Sequence, residues 1–214
     1  MIYRYKDSIN IEKKYLDSLE KLLDSDRMVK MNRYKFQKDK NLCLIAFALL
    51  RFAIWNEYNI NYIPEICTNE YDKPYFKDLP VFFNLSHCDN AVLCAIDSQP
   101  VGADIQNYSN EFFSLKDSIL TPLEIERSIN DSKEVTRFWT IKEAYGKYHG
   151  YGLNYPFKDK EFSYIKNNYS WQNYEDLKVI SCQFLDYSIS VFSKECMLIK
   201  YVSIEILANL IDIL

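Results

Sequence analysis

The glycines of this chain are few and are concentrated in one stretch. The 214-residue sequence contains four glycines, and three of them, Gly146, Gly150 and Gly152, fall within seven residues. Glycine permits close backbone approach and left-handed backbone angles that other residues rarely adopt. We therefore expect a segment with special backbone packing at this point, and not an ordinary surface helix.

The residues before and within this cluster have the pattern of an amphipathic helix. Apolar side chains recur at helical spacing and are expected to face a core: Val135, Phe138, Ile141, Tyr145 and Tyr148. Polar side chains recur on another face, three or four residues apart: Thr136, Thr140, Glu143 and Lys147. Asp131 or Ser132 is placed to cap this helix, with Glu134 in a capping-box position, and we expect it to end at Gly150.

The pair Glu143 and Lys147 has two interpretations. An i, i+4 pair on a helix surface contributes about 0.2–0.5 kcal/mol, whereas Gly146 between them costs roughly 1 kcal/mol relative to alanine. Since the pair alone does not offset that cost, tight packing or the approach of a ligand explains the glycine better. His149, in the same stretch, is expected to be structural.

The composition excludes a disordered chain and a membrane-spanning one. Hydrophobic residues make up 48% of the sequence and aromatic residues 16%, as is typical of a packed core. The longest apolar stretch, Leu42 to Ile54, is interrupted by Arg51 and is too short to span a bilayer. The net charge of −4 argues against wholesale nucleic-acid binding. Six cysteines without CxxC spacing, and no N-terminal signal pattern, predict reduced thiols in a cytoplasmic protein.

The periodicity of the sequence predicts both helices and strands. Helices are expected at Ile11 to Leu23, at Leu42 to Tyr58, briefly after Thr121-Pro122, and at Ser203 to Ile213. Strands are expected at Ile2 to Tyr5, Ala91 to Asp97, Phe157 to Tyr164, Leu177 to Leu185, Tyr187 to Phe192 and Met197 to Val202. The rest of 107–131 indicates a mobile loop. This order predicts two related α+β halves, residues 1–103 and 104–214, although no internal sequence repeat proves it.

The segment from Val101 to Gln106 alternates in the manner of a strand. Asp104 and Gln106 share one face, where an acid and an amide oxygen two residues apart offer adjacent ligands to a hard cation. The alternative is that Asp104 ends the strand and faces water. Spacing alone does not separate these two interpretations.

A second candidate site is a basic segment, Arg27 to Lys40, within an otherwise acidic chain. Its positive residues are Arg27, Lys30, Arg33, Lys35, Lys38 and Lys40. A solvated helix face is the ordinary interpretation of such a run. The alternative is a phosphate-binding patch, because the segment contrasts with the acidic balance of the chain.

Several short motifs occur in order along the chain. They are Asn84-Leu85-Ser86-His87, then Val101-Gly102-Ala103-Asp104-Ile105, then Trp139-Thr140-Ile141-Lys142-Glu143-Ala144 with Lys147, Gly150 and Gly152-Leu153. Together they resemble the signature of the phosphopantetheinyl transferases, in particular the surfactin-synthetase-activating (Sfp-like) branch. Glu70-Tyr71-Asp72-Lys73-Pro74 also resembles the adenine-side loop of that branch. The resemblance covers nearly the whole chain, and the combination is far more specific than any single motif.

The resemblance implies a fold, an activity and partners. The fold would be a pseudo-duplicated α+β phosphopantetheinyl transferase fold, with two similar halves and the active site in the cleft between them. The enzyme would move the 4′-phosphopantetheine arm of coenzyme A to a serine of an apo acyl or peptidyl carrier protein, releasing adenosine 3′,5′-bisphosphate, with Mg²⁺ as cofactor. Coenzyme A and the carrier protein would be its partners, without nucleic acid or membrane, and we expect a monomer.

The resemblance also implies roles for individual residues. Asp104 and Glu143 would bind Mg²⁺, with Gln106 as a third ligand, and Glu143 would take the serine proton directly or through a metal-bound water. Lys147 would stabilise the charge on the β-phosphate as the bond breaks. The remaining coenzyme A contacts implied are Lys73 and Pro74 at the adenine, Ser86 and His87 near the ribose and phosphates, and Arg27, Lys30 and Arg33 at the 3′-phosphate.

The sequence departs from the family pattern at three positions. Gln106 stands where many relatives have a carboxylate, so the metal is expected to bind more weakly or through a water. Leu42 stands where the Sfp-like branch tends to have a basic residue, so the 3′-phosphate is expected to be held less tightly. Asp72 stands where glycine is usual in the adenine-side loop.

Two other functions compete with the transferase. A catalytically weak module that binds coenzyme A or a carrier protein is motivated by Gln106. A nucleic-acid binder that uses the segment Arg27 to Lys40 is disfavoured by the acidic net charge. If the chain is a transferase, the carrier-recognition surface is expected at Asn107 to Lys116. The apolar side chains there, Phe112, Phe113 and Leu115, would either contact a carrier helix or belong to the core.

Overall fold

Two four-stranded sheets, one two-stranded sheet and seven α-helices make up most of the described part of the chain. A computed structural model describes residues 1–7, 10–151 and 156–214, with the side chain of Phe112 left aside. The motif residues Gly152 and Leu153 lie outside the described residues. The strands are β1 Ile2–Lys6, β2 Ile66–Thr68, β3 Pro74–Phe76, β4 Phe82–Cys88, β5 Ala91–Asp97, β6 Gly102–Asn107, β7 Asn168–Tyr174, β8 Leu177–Gln183, β9 Tyr187–Ser193 and β10 Ile199–Tyr201. The helices are α1 Lys13–Glu20, α2 Ser25–Asn32, α3 Gln37–Tyr58, α4 Asn110–Ile119, α5 Pro122–Arg127, α6 Ser132–His149 and α7 Ile204–Ala208.

The first sheet has the strand order β10-β1-β5-β4, in which only the β1–β10 pair is parallel. The strand predicted at Ala91 to Asp97 is confirmed as β5, whose residues 91–96 are all buried. One face of this sheet packs against the long apolar helix α3. β2 and β3 form a separate two-stranded hairpin beside it.

The second sheet has the order β6-β9-β8-β7 and is antiparallel throughout. Its inner face packs against the first sheet through a shared apolar core, and its outer face packs against α6. The layers are therefore helix, sheet, sheet and helix, which confirms the predicted α+β class.

Each sheet carries one long helix on its outer face, as expected for two similar α+β halves. The division at residues 103 and 104 stays a prediction. The last elements return to the first sheet, because β10 pairs with β1 and α7 packs against α1.

The glycine-bearing helix α6 is confirmed, with both of its predicted ends. Asp131 caps it by accepting the backbone N–H groups of Lys133 and Glu134. Gly150 follows it with a φ of 84°, an angle that favours glycine. The backbone N–H of Tyr151, the next residue, donates a hydrogen bond of 3.1 Å to the carbonyl oxygen of Gly146. This bond completes a Schellman motif at the end of the helix.

Two parts of the second half differ from the prediction. Residues 110–119 form the helix α4 and not a loop, because Ser109 caps its first turn and Phe113 packs against the core under α6. The strand predicted at Phe157 to Tyr164 is wrong, since a 3₁₀ turn, Phe157–Asp159, begins this segment. The buried ammonium of Lys142 donates hydrogen bonds to the carbonyl oxygens of Phe157 and Lys160, so these two groups are not available to a neighbouring strand.

Membrane-spanning helices and the state of the cysteines can be assessed over the described residues. Among the described residues, no helix has the length and apolar character needed to cross a bilayer. All six cysteines are free thiols, in agreement with the reduced state expected from their spacing.

Candidate active site

Asp104 lies in the edge strand β6, with its side chain directed at α6. Its carboxylate Oδ1 accepts a hydrogen bond of 2.7 Å from Ser86 Oγ and one of 2.6 Å from the ammonium of Lys147. The residue is only 5% exposed. The interpretation in which Asp104 faces water is therefore wrong, and the strand delivers its carboxylate to the helix.

Glu143 and Lys147 lie one helical turn apart on α6, facing Asp104. Lys147 Nζ is 3.9 Å from Glu143 Oε2, so one ammonium contacts both carboxylates. Burial raises the pKa of Glu143 to about 7, and the nearby negative charge of Asp104 adds to the rise, while Lys147 opposes it. A carboxyl group with such a pKa exchanges protons near neutral pH.

Two buried carboxylate oxygens at this point have no hydrogen-bond partner among the described residues. They are Asp104 Oδ2 and Glu143 Oε1. Buried carboxylates without partners are costly, and oxygens of this type are the preferred ligands of Mg²⁺, which usually takes one or two protein carboxylates together with substrate phosphates. The residues present thus fit a divalent cation held by two carboxylates.

Gln106 lies two residues after Asp104 on β6 and is half-buried. Strand alternation places its side chain on the same face as that of Asp104. In the described residues, no group of three or more His, Cys, Asp or Glu side chains is arranged to hold a metal.

A cleft of about 540 Å³ opens between α2, α3 and the β2–β3 hairpin. Of the residues predicted to bind coenzyme A, Arg27, Lys30, Pro74 and His87 line it. Ser86 is not part of its lining, but is bonded to Asp104. Arg33, the C-cap of α2, does not line this cleft. The lining also carries the carboxylates of Asp24, Asp26, Glu65 and Asp72.

Lys73 does not line the cleft and makes contacts that the sequence did not predict. Its ammonium donates to the carbonyl oxygens of Val101 and Tyr148, both at 3.3 Å, and burial lowers its pKa to about 8. The side-chain amide of Asn69, in the same loop, donates a hydrogen bond of 3.2 Å to the carbonyl oxygen of Gly150. The loop that resembles an adenine-side loop is thus attached to the end of α6.

Asp72 has a φ of 61°. This left-handed angle is the one that glycine adopts most easily, in line with the expectation, drawn from the resemblance, that glycine is usual at this position. Aspartate is among the few other residues that tolerate the angle.

A buried polar cluster beside the site was missed by the sequence reasoning. Lys142 and Glu124 form an ion pair of 2.9 Å in which both side chains are fully buried. Glu124 also accepts the backbone N–H groups of Thr121 and Phe162. Thr140, whose role was left open, bonds to Ser190 in β9 at 2.8 Å. The available signal was Lys142 itself, a charged residue next to the apolar positions of α6.

Comparison with known proteins agrees with this geometry. A model of the 4′-phosphopantetheinyl transferase superfamily matches residues 100–191, the stretch that carries Asp104, Glu143 and Lys147. Over this stretch the chain is similar to that superfamily.

Three named transferases illustrate the similarity. The 4′-phosphopantetheinyl transferase Sfp of Bacillus subtilis is 30% identical over 141 residues, which is 63% of each chain. The transferase gsp of Aneurinibacillus migulanus is 32% identical over 157 residues, 68% of this chain and 64% of gsp. HetI of a Nostoc species is 29% identical over 153 residues, 64% of each chain. The matches take in somewhat less than two thirds of each of these relatives.

Proposed function

We propose that this protein transfers the 4′-phosphopantetheine arm of coenzyme A to a serine of an apo carrier protein. The observation that supports it is the convergence of Asp104, Glu143 and Lys147, with one buried oxygen of each carboxylate left without a partner. Relatives with 27–32% identity bear the name 4′-phosphopantetheinyl transferase.

The reaction forms a bond between the carrier serine oxygen and the β-phosphorus of coenzyme A. The bond from that phosphorus to the bridging oxygen breaks, and adenosine 3′,5′-bisphosphate leaves. Glu143 accepts the serine proton, a role suited to a carboxylate whose pKa is raised to about 7. Lys147 places its positive charge against the pyrophosphate, where negative charge grows.

Asp104 and Glu143, with Gln106 beside them, would hold Mg²⁺. When bound, Mg²⁺ neutralises charge on the pyrophosphate. Ser86 and Lys147 hold Asp104 through Oδ1, which leaves Oδ2 for the cation. The amide of Gln106 contributes no negative charge, so we expect weaker metal binding than a third carboxylate would give.

Coenzyme A would lie in the cleft beside α2. Arg27 and Lys30 would meet its 3′-phosphate, with Arg33 nearby, while Pro74 and His87 would contact the nucleotide. Lys73 would hold the adenine-side loop in place and not contact the nucleotide with its charge, because its ammonium already donates to two carbonyl oxygens at 3.3 Å.

The carrier protein would dock on α4 and the adjoining α5. Leu115 is 51% exposed and Leu123 is 54% exposed, so both are available to an apolar carrier helix. Phe113 packs partly into the core under α6. We therefore treat it as a core residue and not as a contact for the carrier helix. We further propose a monomeric, cytoplasmic enzyme that needs neither nucleic acid nor membrane.

A module that binds coenzyme A or a carrier without turnover is the second candidate, favoured by Gln106. Calorimetry separates the two functions. Tight coenzyme A binding that Mg²⁺ does not change, together with absent turnover, would favour the module.

Intact mass spectrometry tests the transferase directly. An apo acyl carrier and an apo peptidyl carrier are each incubated with the protein, coenzyme A and Mg²⁺. We expect a mass gain of one phosphopantetheine arm that chelation abolishes. Glu143→Gln and Asp104→Ala should lose the gain, whereas the exposed carboxylate variant Glu195→Gln should keep it. Normal turnover by either site variant would contradict the assigned roles.

A further inference from the structure

The two four-stranded sheets meet at β4 and β6, and these two strands are not paired by backbone hydrogen bonds. Among the described strands, β4 pairs only with β5 and β6 pairs only with β9, so β4 and β6 are the facing edges of separate sheets. An unpaired N–H group in a buried edge strand costs about 1–3 kcal/mol. The edge of β6 that faces β4 therefore needs other hydrogen-bond acceptors.

Side chains of β4 supply these acceptors. Asn84 Oδ1 accepts the backbone N–H of Ala103 at 2.7 Å, and Ser86 Oγ accepts that of Ile105 at 3.3 Å. Both side chains are buried, with Asn84 4% exposed and Ser86 7% exposed. These two bonds fasten the residues immediately before and after Asp104.

One face of β6 is covered by α6, while β9 pairs with its other edge. A Cβ atom at Gly102 would occupy the place of the Ala144 carbonyl oxygen and the Tyr148 amide nitrogen, so the backbones of β6 and α6 are in direct contact. Since Glu143 belongs to α6, the distance between the two carboxylates depends on where β6 lies between α6 and β4.

From this arrangement we infer that Asn84 is a positioning residue for the cation site, which it serves by holding the β6 backbone at Ala103. The inference rests on the proposed function only in taking Asp104 and Glu143 as the ligands. Removal of the Asn84 amide leaves the Ala103 N–H unpaired, and the strand shifts to find another acceptor. A shift of β6 moves Asp104 relative to Glu143, and sites of this kind need their ligands held within about 0.5 Å.

The chain offers a matched control at the other end of the same strand. Asn107 Oδ1 accepts the backbone N–H of Asp89 at 2.7 Å, so it joins the end of β6 to the turn after β4, again through an asparagine oxygen and a backbone amide. It lies three residues beyond Asp104 and outside the bonds that flank it. Asn107→Ala removes this bond, and also the two bonds of 3.1 Å that Asn107 Nδ2 donates to Asn90 Oδ1 and to the carbonyl oxygen of Asp186, without releasing Ala103 or Ile105.

Calorimetric titration of the full-length protein with Mn²⁺ and with Mg²⁺ tests the inference. Substitution of a residue that holds a metal ligand in place commonly weakens metal affinity by about 10–100-fold, so Asn84→Ala should weaken it about tenfold. Asn107→Ala should stay within about twofold of wild type, although both variants lower Tm. Transfer by Asn84→Ala should recover when Mg²⁺ is raised about tenfold.

A third variant keeps the test decisive if Asn84→Ala does not fold. Asn84→Ser replaces the amide oxygen with a hydroxyl that can still accept a hydrogen bond, and Ser86 shows that a serine of β4 reaches a β6 amide at 3.3 Å. Its metal affinity should lie between those of wild type and Asn84→Ala, or below wild type where the alanine variant is lost.

Two results would overturn the inference. One is wild-type metal affinity in both Asn84 variants. The other is an equal loss of affinity in Asn107→Ala, which would mean that any loosening of this edge has the same effect. Failure of the proposed function has a different signature, since wild-type protein would then give no mass gain on a carrier, whatever the metal affinities of the variants.

Discussion

Glu143 makes the stability of the metal-free protein depend on pH, and this can be measured with one substitution. Its pKa rises from 4.5 to about 7 in the folded chain. At about 1.36 kcal/mol for each pKa unit, the ionised carboxylate costs the folded state about 3 kcal/mol. Its side chain is only 8% exposed, so solvent screens little of this cost.

The direction of the effect follows from proton binding. Below about pH 4.5 the carboxyl group is protonated in both the folded and the unfolded chain, and it costs nothing. As the pH rises towards about 7, the unfolded chain loses the proton first, so its ionisation favours unfolding. Above about pH 7 the folded chain is ionised too and bears the full cost.

Glu143→Gln removes this cost, so the difference in free energy of unfolding between variant and wild type should increase by about 2 to 3 kcal/mol from pH 5 to pH 8. Urea denaturation in the presence of a chelator measures it at both pH values. Glu195→Gln, which removes an exposed carboxylate, should show a constant difference. A constant difference for Glu143→Gln as well would refute the reasoning. Addition of Mg²⁺ at pH 8 should reduce the advantage of the variant.

Three further substitutions test other parts of the structure. Gly102→Ala places a methyl group on the backbone carbonyl of Ala144 and should cost about 3 kcal/mol in urea denaturation; a loss below about 1 kcal/mol would contradict the close contact. Lys142→Met leaves the fully buried Glu124 without its partner and should cost about 3–5 kcal/mol, measured in the same assay. Asp72→Gly accommodates the φ of 61° and removes one carboxylate from the cleft, so coenzyme A should bind about threefold more tightly by calorimetry; unchanged or weaker binding would place the nucleotide elsewhere.

Local patterns in the sequence predicted the elements that carry the site. The caps and the helical spacing defined α6 and put Glu143 and Lys147 on one face, and strand alternation put Asp104 opposite the apolar positions of β6. The same approach failed for β7, whose sequence is largely polar and whose burial is confined mainly to Tyr174. It also failed for Phe157 to Tyr164, where a distant lysine captures the backbone carbonyl groups.

The sequence by itself determined which side chains share a face of one helix or one strand, because periodicity depends only on neighbours along the chain. Periodicity left the roles of Asp104, Glu143 and Lys147 open, and the resemblance to the phosphopantetheinyl transferases implied that they share one site. Only the tertiary structure decided that Lys73 bonds to carbonyl oxygens of Val101 and of α6, that Lys142 pairs with Glu124, and that Asn84 holds β6. These contacts join residues 18 to 75 positions apart, and such pairs are brought together by the packing of whole sheets and helices, which no local pattern records.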